Sequence, residues 1–334
     1  MSNEFTHCLV ASLPHCLAME LTQRLLTGDR RAIARLITIV ENNGPEAQEV
    51  LAALYPHTGR AHIVGVTGAP GTGKSTLVNE LAKVYRQRER TVGIIAVDPT
   101  SPFSGGALLG DRIRMRDLSG DPGIFIRSMA TRGSLGGLAR ATADAVKVLD
   151  AAGYQMIFVE TVGAGQSEVD IAKAAHTTIV VEAPGLGDDI QAIKAGITEI
   201  ADIFVVNKAD REGADNTAMA LEMILDLNHQ SHLASSDHGW RPPICKTVAL
   251  HGDGIGAVVE SIEEHAAYLR DSGNLQRRER ERLERELRSI ITQKMARSFF
   301  EKLDQAQFDS LVDSVVRREL DPYSAATLLL EALP

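Results

Sequence analysis

Gly68-Ala69-Pro70-Gly71-Thr72-Gly73-Lys74-Ser75 is the stretch that decides the fold. It matches the phosphate-binding P-loop pattern at every defined position, and it stands where that motif has to stand. The apolar run Ile63-Val64-Gly65-Val66 precedes it as a strand, and Ser75-Thr76-Leu77 opens a helix after it. Glycines let the backbone N–H groups of such a loop turn inward around phosphate oxygens. The helix N-terminus adds partial positive charge. Lys74 is expected to reach the β- and γ-phosphates and to serve catalysis, and the Ser75 hydroxyl is expected to ligate Mg²⁺. Together with Thr76, these residues form the expected phosphate side of a nucleotide site.

Outward from this loop, short Val- and Ile-rich runs alternate with helical patterns. The strand candidates are His62–Val66, Val92–Val97, Ile124–Arg127, Met156–Glu160, Thr178–Glu182, Ile203–Asn207 and Ile244–Val248. Several lack polar alternation, as strands buried on both faces do. The intervening helices are expected over Thr76–Gln87, Leu138–Ala152, Ile190–Ile200 and Asn216–Leu227. This order predicts an α/β domain with a doubly wound, mostly parallel sheet and functional loops at the carboxyl ends of its strands.

Asn207-Lys208-Ala209-Asp210 follows the run Ile203–Val206 and resembles the NKxD motif of GTPases. A carboxylate at Asp210 can accept hydrogen bonds from guanine N1–H and the exocyclic amine. Adenine offers no such pair of donors, so the same site rejects it. Lys208 is expected over the base or the P-loop, with Asn207 tying the loops together. A third base-contact loop is expected at Lys246-Thr247-Val248-Ala249-Leu250. Ala249 stands in the place of the usual Ser-Ala pair's alanine, and Val248 replaces the serine. Backbone N–H contacts from Val248, Ala249 and Leu250 to the guanine oxygen remain open, whereas a side-chain hydroxyl contact is lost.

Carboxylates at strand ends suit hard Mg²⁺, which takes oxygen ligands. Asp98 ends one strand and Asp111 follows in Gly110-Asp111-Arg112. Glu160 ends another strand, with Gly163 three residues on, in the pattern that senses metal and γ-phosphate; Glu stands where Asp is usual. Asp98, Asp111 and Glu160 are therefore metal candidates beside Ser75, each with a helix-cap or loop reading as its alternative. Gln166 and Asp98 are candidates to orient the attacking water. Asp98 is favoured because its strand is expected beside the P-loop strand.

The flanks read as helix. Leu21, Leu25 and Leu26, then Ile33, Leu36, Ile37 and Val40, recur at helical steps, with Asp29 as the N-cap between them. After about residue 272 the strands stop. An Arg/Glu-rich run over Gln276–Arg288 carries Leu283 and Leu287, and Ile290, Ile291, Met295 and Phe299 extend the stripe. Glu281–Arg285 and Glu284–Arg288 are spaced to pair. Asp321-Pro322 reads as a cap and first helical turn.

The net charge of −9 disfavours a broad nucleic-acid interface. Cys8, Cys16 and Cys245 do not form a disulfide framework, which fits a reduced, cytoplasmic setting. His7-Cys8 and His15-Cys16 match no standard zinc spacing and read better as an apolar helix face. No membrane span or secretory leader is expected.

Taken together, Gly68–Ser75, Val97–Ser101, Leu109–Met115, Glu160–Glu168, Pro184–Gly196 and Asn207–Asp210 resemble the MeaB/ArgK GTPases, which include the methylmalonic aciduria type A protein. The resemblance runs from the helical preface through the C-terminal arm. The chain is thus expected to divide into a helical segment over 1–58, a P-loop GTPase domain over 59–270 and a helical arm over 271–334, whose apolar stripe needs a partner surface and predicts a homodimer. The resemblance implies GTP hydrolysis in the service of a coenzyme-B12-dependent acyl-CoA mutase: gating adenosylcobalamin loading, removing damaged cofactor and protecting the mutase. GTP, GDP and Mg²⁺ would bind here, and adenosylcobalamin in the partner. A third switch loop maps onto Pro184–Gly196, where Gly185, Gly187, Asp188, Asp189 and Lys194 suit a moving, partner-contacting segment or a simple capped turn. Two other readings are a GTPase that inserts metal into another enzyme, for which the dispersed histidines give no cluster, and a small-molecule kinase, which gives Asn207–Asp210 no purpose.

Overall fold

A computed structural model of the chain describes residues 18–98, 116–118, 120–130, 137–161, 174–185, 200–232 and 239–331. The chain divides into two compact units, Met1–Leu275 and Gln276–Pro334.

The first unit opens with helical residues 18–26 (α1), followed by α2 (Arg30–Asn42) and α3 (Pro45–Leu54). Asp29 caps α2 as its position predicts, accepting from the N–H groups of Arg31 and Ala32. Leu21 and Leu25 are buried, but Leu26, expected on the same face, is exposed. Then come β1 (His62–Thr67), α4 (Lys74–Gln87), β2 (Val92–Asp98), β3 (Ile124–Ala130), α5 (Gly137–Ala151), β4 (Met156–Thr161) and β5 (Thr177–Glu182). β6 (Ile203–Asn207), α6 (Ala214–His232), β7 (Ile244–Thr247) and α7 (Ile255–Asp271) complete the unit. The sheet order is β3-β2-β4-β1-β5-β6-β7, with every described pairing parallel.

Two expectations change. β4 and β5, not β2, flank β1, so Asp98 does not follow the strand beside the P-loop strand. Strand adjacency is set by long-range crossovers, which local spacing does not encode. The last strand stops at Thr247, and Val248 makes an isolated bridge to Asp253 instead. The expected helix Ile190–Ile200 lies outside the described residues apart from Ile200, which stands in a turn.

Side chains alternate across the sheet. On one face Ile63, Ile95, Val97, Ile157 and Val159 pack with Ile33, Leu36 and Ile37 of α2 and Val148 and Leu149 of α5. The helical preface thus shares a core with the sheet. On the other face Val64, Val66, Phe158, Ile179 and Val181 meet Leu77, Val78 and Leu81 of α4 and Val258, Val259 and Ile262 of α7. Asp150, at the end of α5, accepts from the N–H groups of Gly59 (2.6 Å), Arg60 (3.1 Å) and Ala61 (2.9 Å), and so anchors the chain just before β1.

The second unit contains most of α8 (Asn274–Lys302), with α9 (Gln305–Val316) and α10 (Pro322–Glu331). Arg288 bonds Glu284 at 2.7 Å as predicted, while Arg285 Nε donates to the Glu281 carbonyl. Asp321 caps α10, accepting from Tyr323 and Ser324 N–H, and Pro322 takes the first helical position. No helix among the described residues is long and apolar enough to cross a membrane.

Candidate functional site

The P-loop leaves β1 and enters α4 between the carboxyl ends of β4 and β5, and Gly68 and Gly73 show why it needs glycine. Gly68 has φ +134°, and a Cβ there would stand 2.1 Å from the Val181 carbonyl oxygen of β5. Gly73 has φ +95°, and its Cβ would stand 2.3 Å from Asn207 Nδ2. The loop is thus seated against both β5 and the end of β6, closer than any side chain allows. Lys74 is buried, and its Nζ donates to the carbonyls of Gly68 (2.6 Å) and Ala69 (3.0 Å). Its ammonium is thereby held over the loop rather than in solvent. Thr72 closes the turn through Oγ1 to the Ala69 carbonyl at 2.9 Å.

Ser75, in the first turn of α4, donates to Glu160 Oε1 at 2.5 Å, and both residues are buried. The hydroxyl and the carboxylate come from sites 85 residues apart, brought together by the β1–β4 pairing. Their donor set is all oxygen, which fits a hard divalent cation.

Asn207 ends β6 and joins three segments. Its Nδ2 donates to the Thr72 carbonyl at 2.8 Å. Its Oδ1 accepts from Thr247 Oγ1 (3.1 Å) and from the Ala249 N–H (3.0 Å). A single buried amide therefore binds the P-loop to the loop after β7. Lys208 adopts φ +58° and reaches back with Nζ to the Gly71 carbonyl at 2.6 Å. Asp210 is exposed in the turn that follows. In the third loop the N–H groups expected for the base are largely taken: Val248 donates to the Asp253 carbonyl at 3.1 Å and Ala249 to Asn207. Leu250 is exposed at the tip. The spacing around Asn207 predicted a tie between loops, but not that this tie would occupy Ala249.

Asp111, Gly163, Gln166, Gly187, Asp188, Asp189 and Lys194 lie outside the described residues, as do the His7-Cys8 and His15-Cys16 pairs. Asp98 is placed by its backbone as the last residue of β2. Gly185 is exposed just beyond β5. One feature of the site escaped the sequence reading: Thr161 Oγ1 donates to Thr67 Oγ1 at 3.2 Å, with both residues buried at the ends of β4 and β1. Two threonines closing adjacent apolar strands were the available signal.

A P-loop whose Ser75 meets a carboxylate one residue from the end of β4, joined by Asn207 to an NKxD turn on an all-parallel sheet, is the arrangement of a P-loop GTPase. Residues 33–304 match the sequence profile described as Methylmalonyl Co-A mutase-associated GTPase MeaB, and the chain belongs to that family. A relative from Pyrococcus horikoshii, named as a GTPase, is 55% identical over 314 residues, covering 94% of this chain and 98% of that one. The mitochondrial methylmalonic aciduria type A homolog of Caenorhabditis elegans is 32% identical over 282 residues, 80% of this chain and 70% of that one. The crystal structure of LAO/AO transport system kinase matches with a TM-score of 0.71 at 28% identity, covering 95% of this chain and 97% of that one. The chain is a GTPase that binds guanine nucleotide, on the fold the sequence predicted.

Proposed function

We propose that this chain is a Mg²⁺-dependent GTPase that serves as the G-protein chaperone of a coenzyme-B12-dependent acyl-CoA mutase, gating adenosylcobalamin loading and protecting or reactivating the enzyme. The observation that carries the chemistry is the buried Ser75–Glu160 contact at the foot of the P-loop. It supports a site where Ser75 and Glu160, with Asp98 and Asp111, hold the metal directly or through water. The metal would supply neutralisation of phosphate charge. The chain's own residues do the rest. Lys74 exchanges the Gly68 and Ala69 carbonyls for phosphate oxygens, and the N–H groups of the Gly68–Ser75 loop, Pro70 having none, surround the chain of phosphates. Asp210 accepts from the guanine edge, Lys208 covers the base, and the Leu250 N–H offers the guanine oxygen a further donor. Asp98 or Gln166 orients the attacking water.

The mutase role is supported by the name of the family, a mutase-associated GTPase. The segment Pro184–Gly196, with Gly185, Gly187, Asp188, Asp189 and Lys194, is the proposed docking switch. A γ-phosphate shifts a partner equilibrium only through contacts that differ between two protein states, and a separate loop beyond the strand next to β1 suits that task. The working location is the cytoplasm, where adenosylcobalamin, the partner's cofactor, is loaded. A homodimer through the arm is supported by the exposed Leu287, Ile291 and Met295 on α8, a helix without a buried residue. The test is size-exclusion chromatography with light scattering, with GTP analogue or GDP and an adenosylcobalamin-dependent acyl-CoA mutase. A dimer that co-elutes with mutase in a nucleotide-dependent way is expected. A monomer would refute the arm's role, and no co-elution with any such mutase would refute the partner.

A further inference from the structure

The parallel pairing of β1 and β4 runs in register from His62 and Met156 to Val66 and Glu160. One step further on, Thr67 and Thr161 stand as the last residues of the two strands. From there one chain continues into the P-loop, and the other has just supplied Glu160. Alternation divides the duties of the two faces. Glu160 has the parity of Phe158 and lies on the α4 side, where it meets Ser75. Thr161 has the parity of Ile157 and Val159, and Thr67 that of Ile63, on the apolar side packed by α2 and α5.

A hydroxyl in such a layer incurs a desolvation penalty that valine would not. The residues in register on either side of the pair, Val97 of β2 beside Thr161 and Val180 of β5 beside Thr67, are both valine, so packing alone gives no reason for two threonines. What the pair adds is direction. An apolar contact fixes no angle, whereas Thr161 Oγ1 donating to Thr67 Oγ1 sets distance and orientation between two backbones at the point where both leave the sheet. The next interaction in line is the 2.5 Å Ser75–Glu160 bond, which tolerates little displacement.

We propose that Thr67 and Thr161 are positioning residues for GTP hydrolysis: their buried hydroxyl pair sets the lateral spacing of β1 and β4 so that the P-loop and Glu160 meet at working distance. This rests on the proposed reading of Glu160 as a metal-side carboxylate. Neither threonine touches nucleotide; both act through the backbones they join.

The experiment exploits an asymmetry of buried hydrogen bonds. Thr161→Val or Thr67→Val alone leaves one hydroxyl without its partner and lowers stability, whereas Thr67→Val/Thr161→Val replaces both by apolar groups of the same shape and restores much of it. Single-turnover GTP hydrolysis at saturating Mg²⁺, GDP affinity and the thermal midpoint are measured on all three. In the double variant, a recovered midpoint, GDP affinity near that of the parent and hydrolysis reduced about tenfold or more are expected, the size of a sub-ångström misplacement. Parental hydrolysis in the double variant would overturn the proposal, and so would a loss of GDP affinity parallel to the loss of rate, which marks a collapsed cradle. If the double variant does not fold, Thr161→Ser is compared with Thr161→Ala. Serine keeps the bond and should keep most of the rate; equal loss in both overturns the proposal. Glu160→Gln tests the underlying reading separately. If Mg²⁺ dependence is unchanged there, the metal assignment fails, while the threonine result, read at saturating Mg²⁺, still stands or falls by itself.

Discussion

Gly68→Ala puts the seating of the P-loop on β5 under direct strain. The new Cβ would lie 2.1 Å from the Val181 carbonyl oxygen, 3.0 Å from its carbon and 3.1 Å from its nitrogen. An ordinary carbon–oxygen approach is about 3.3 Å, so roughly 1.2 Å of separation has to be found. Val181 sits inside β5 and pairs with Val205 of β6, so the strand is held in place and the loop must yield. The backbone adds a second difficulty, because φ of +134° suits glycine and not an L side chain. Overpacking of this kind costs about 1–3 kcal/mol, and the backbone conformation adds about 1–2 kcal/mol. Together they lower the thermal midpoint by roughly 5–15 °C. The larger effect falls on function: a shift of about 1 Å in the cradle N–H groups breaks about two hydrogen bonds to charged phosphate, at about 1.5 kcal/mol each, and weakens GDP binding by about a hundredfold. Calorimetric titration with GDP and a thermal melt read both quantities. Gly59→Ala is the control, since Gly59 also has positive φ (+90°) but open space around it. It should lose a little stability and keep GDP affinity. GDP affinity within about threefold of the parent and an unchanged midpoint in Gly68→Ala would refute the close approach on which the site is built.

Asp150→Ala removes the acceptor of three backbone N–H groups at once, and we expect a loss of about 3 kcal/mol in chemical unfolding; a change under about 1 kcal/mol would show that the anchor before β1 is dispensable. Burial, helped by His265 and Arg270, holds the His62 imidazole down at about 4 in the fold against an ordinary 6.5. The unfolded chain therefore binds the extra proton, stability is full above pH 6.5, and it falls as pH drops toward 4. About 2 kcal/mol should be lost between pH 7 and pH 5 through this group, and His62→Gln should flatten that slope; an equal slope in the variant would show that other groups govern it. Asp210→Asn should erode the preference for GTP over ATP, which we expect to be about a hundredfold or more in the parent, and favour xanthine nucleotide; an unchanged preference in competition titrations would remove Asp210 from base reading.

Elements held by local spacing were legible in the sequence. The Val- and Ile-rich runs became β1 to β7 within one to three residues at their ends, and the glycines of the P-loop became the turn that demands them. The caps at Asp29 and Asp321 follow from residue type and position alone. What local spacing does not carry is which strands lie side by side, and Asp98 was misplaced beside the P-loop strand for that reason. The Asp150 anchor joins residues about ninety apart, and the Thr67–Thr161 and Asn207–Ala249 bonds exist only once the sheet has formed. α7 escaped the reading for a different reason. Ile255, Val258, Val259 and Ile262 repeat at helical steps, but the helix starts behind Gly254 with no side-chain cap, so no start signal marks it. The exposed Leu26 shows the opposite failure, an apolar residue on a buried stripe that the fold leaves outside.

If GTP hydrolysis here answers to an acyl-CoA mutase, single-turnover hydrolysis with and without the adenosylcobalamin-dependent enzyme will show it. Slow basal turnover is expected from a P-loop GTPase without a completed charge clamp. The mutase should accelerate it, and Asp188→Ala and Lys194→Ala should keep basal turnover and nucleotide affinity while losing much of that acceleration. An unchanged rate across the adenosylcobalamin-dependent acyl-CoA mutases would show that hydrolysis does not answer to such a partner, and full acceleration in both variants would remove the 184–196 segment from the relay.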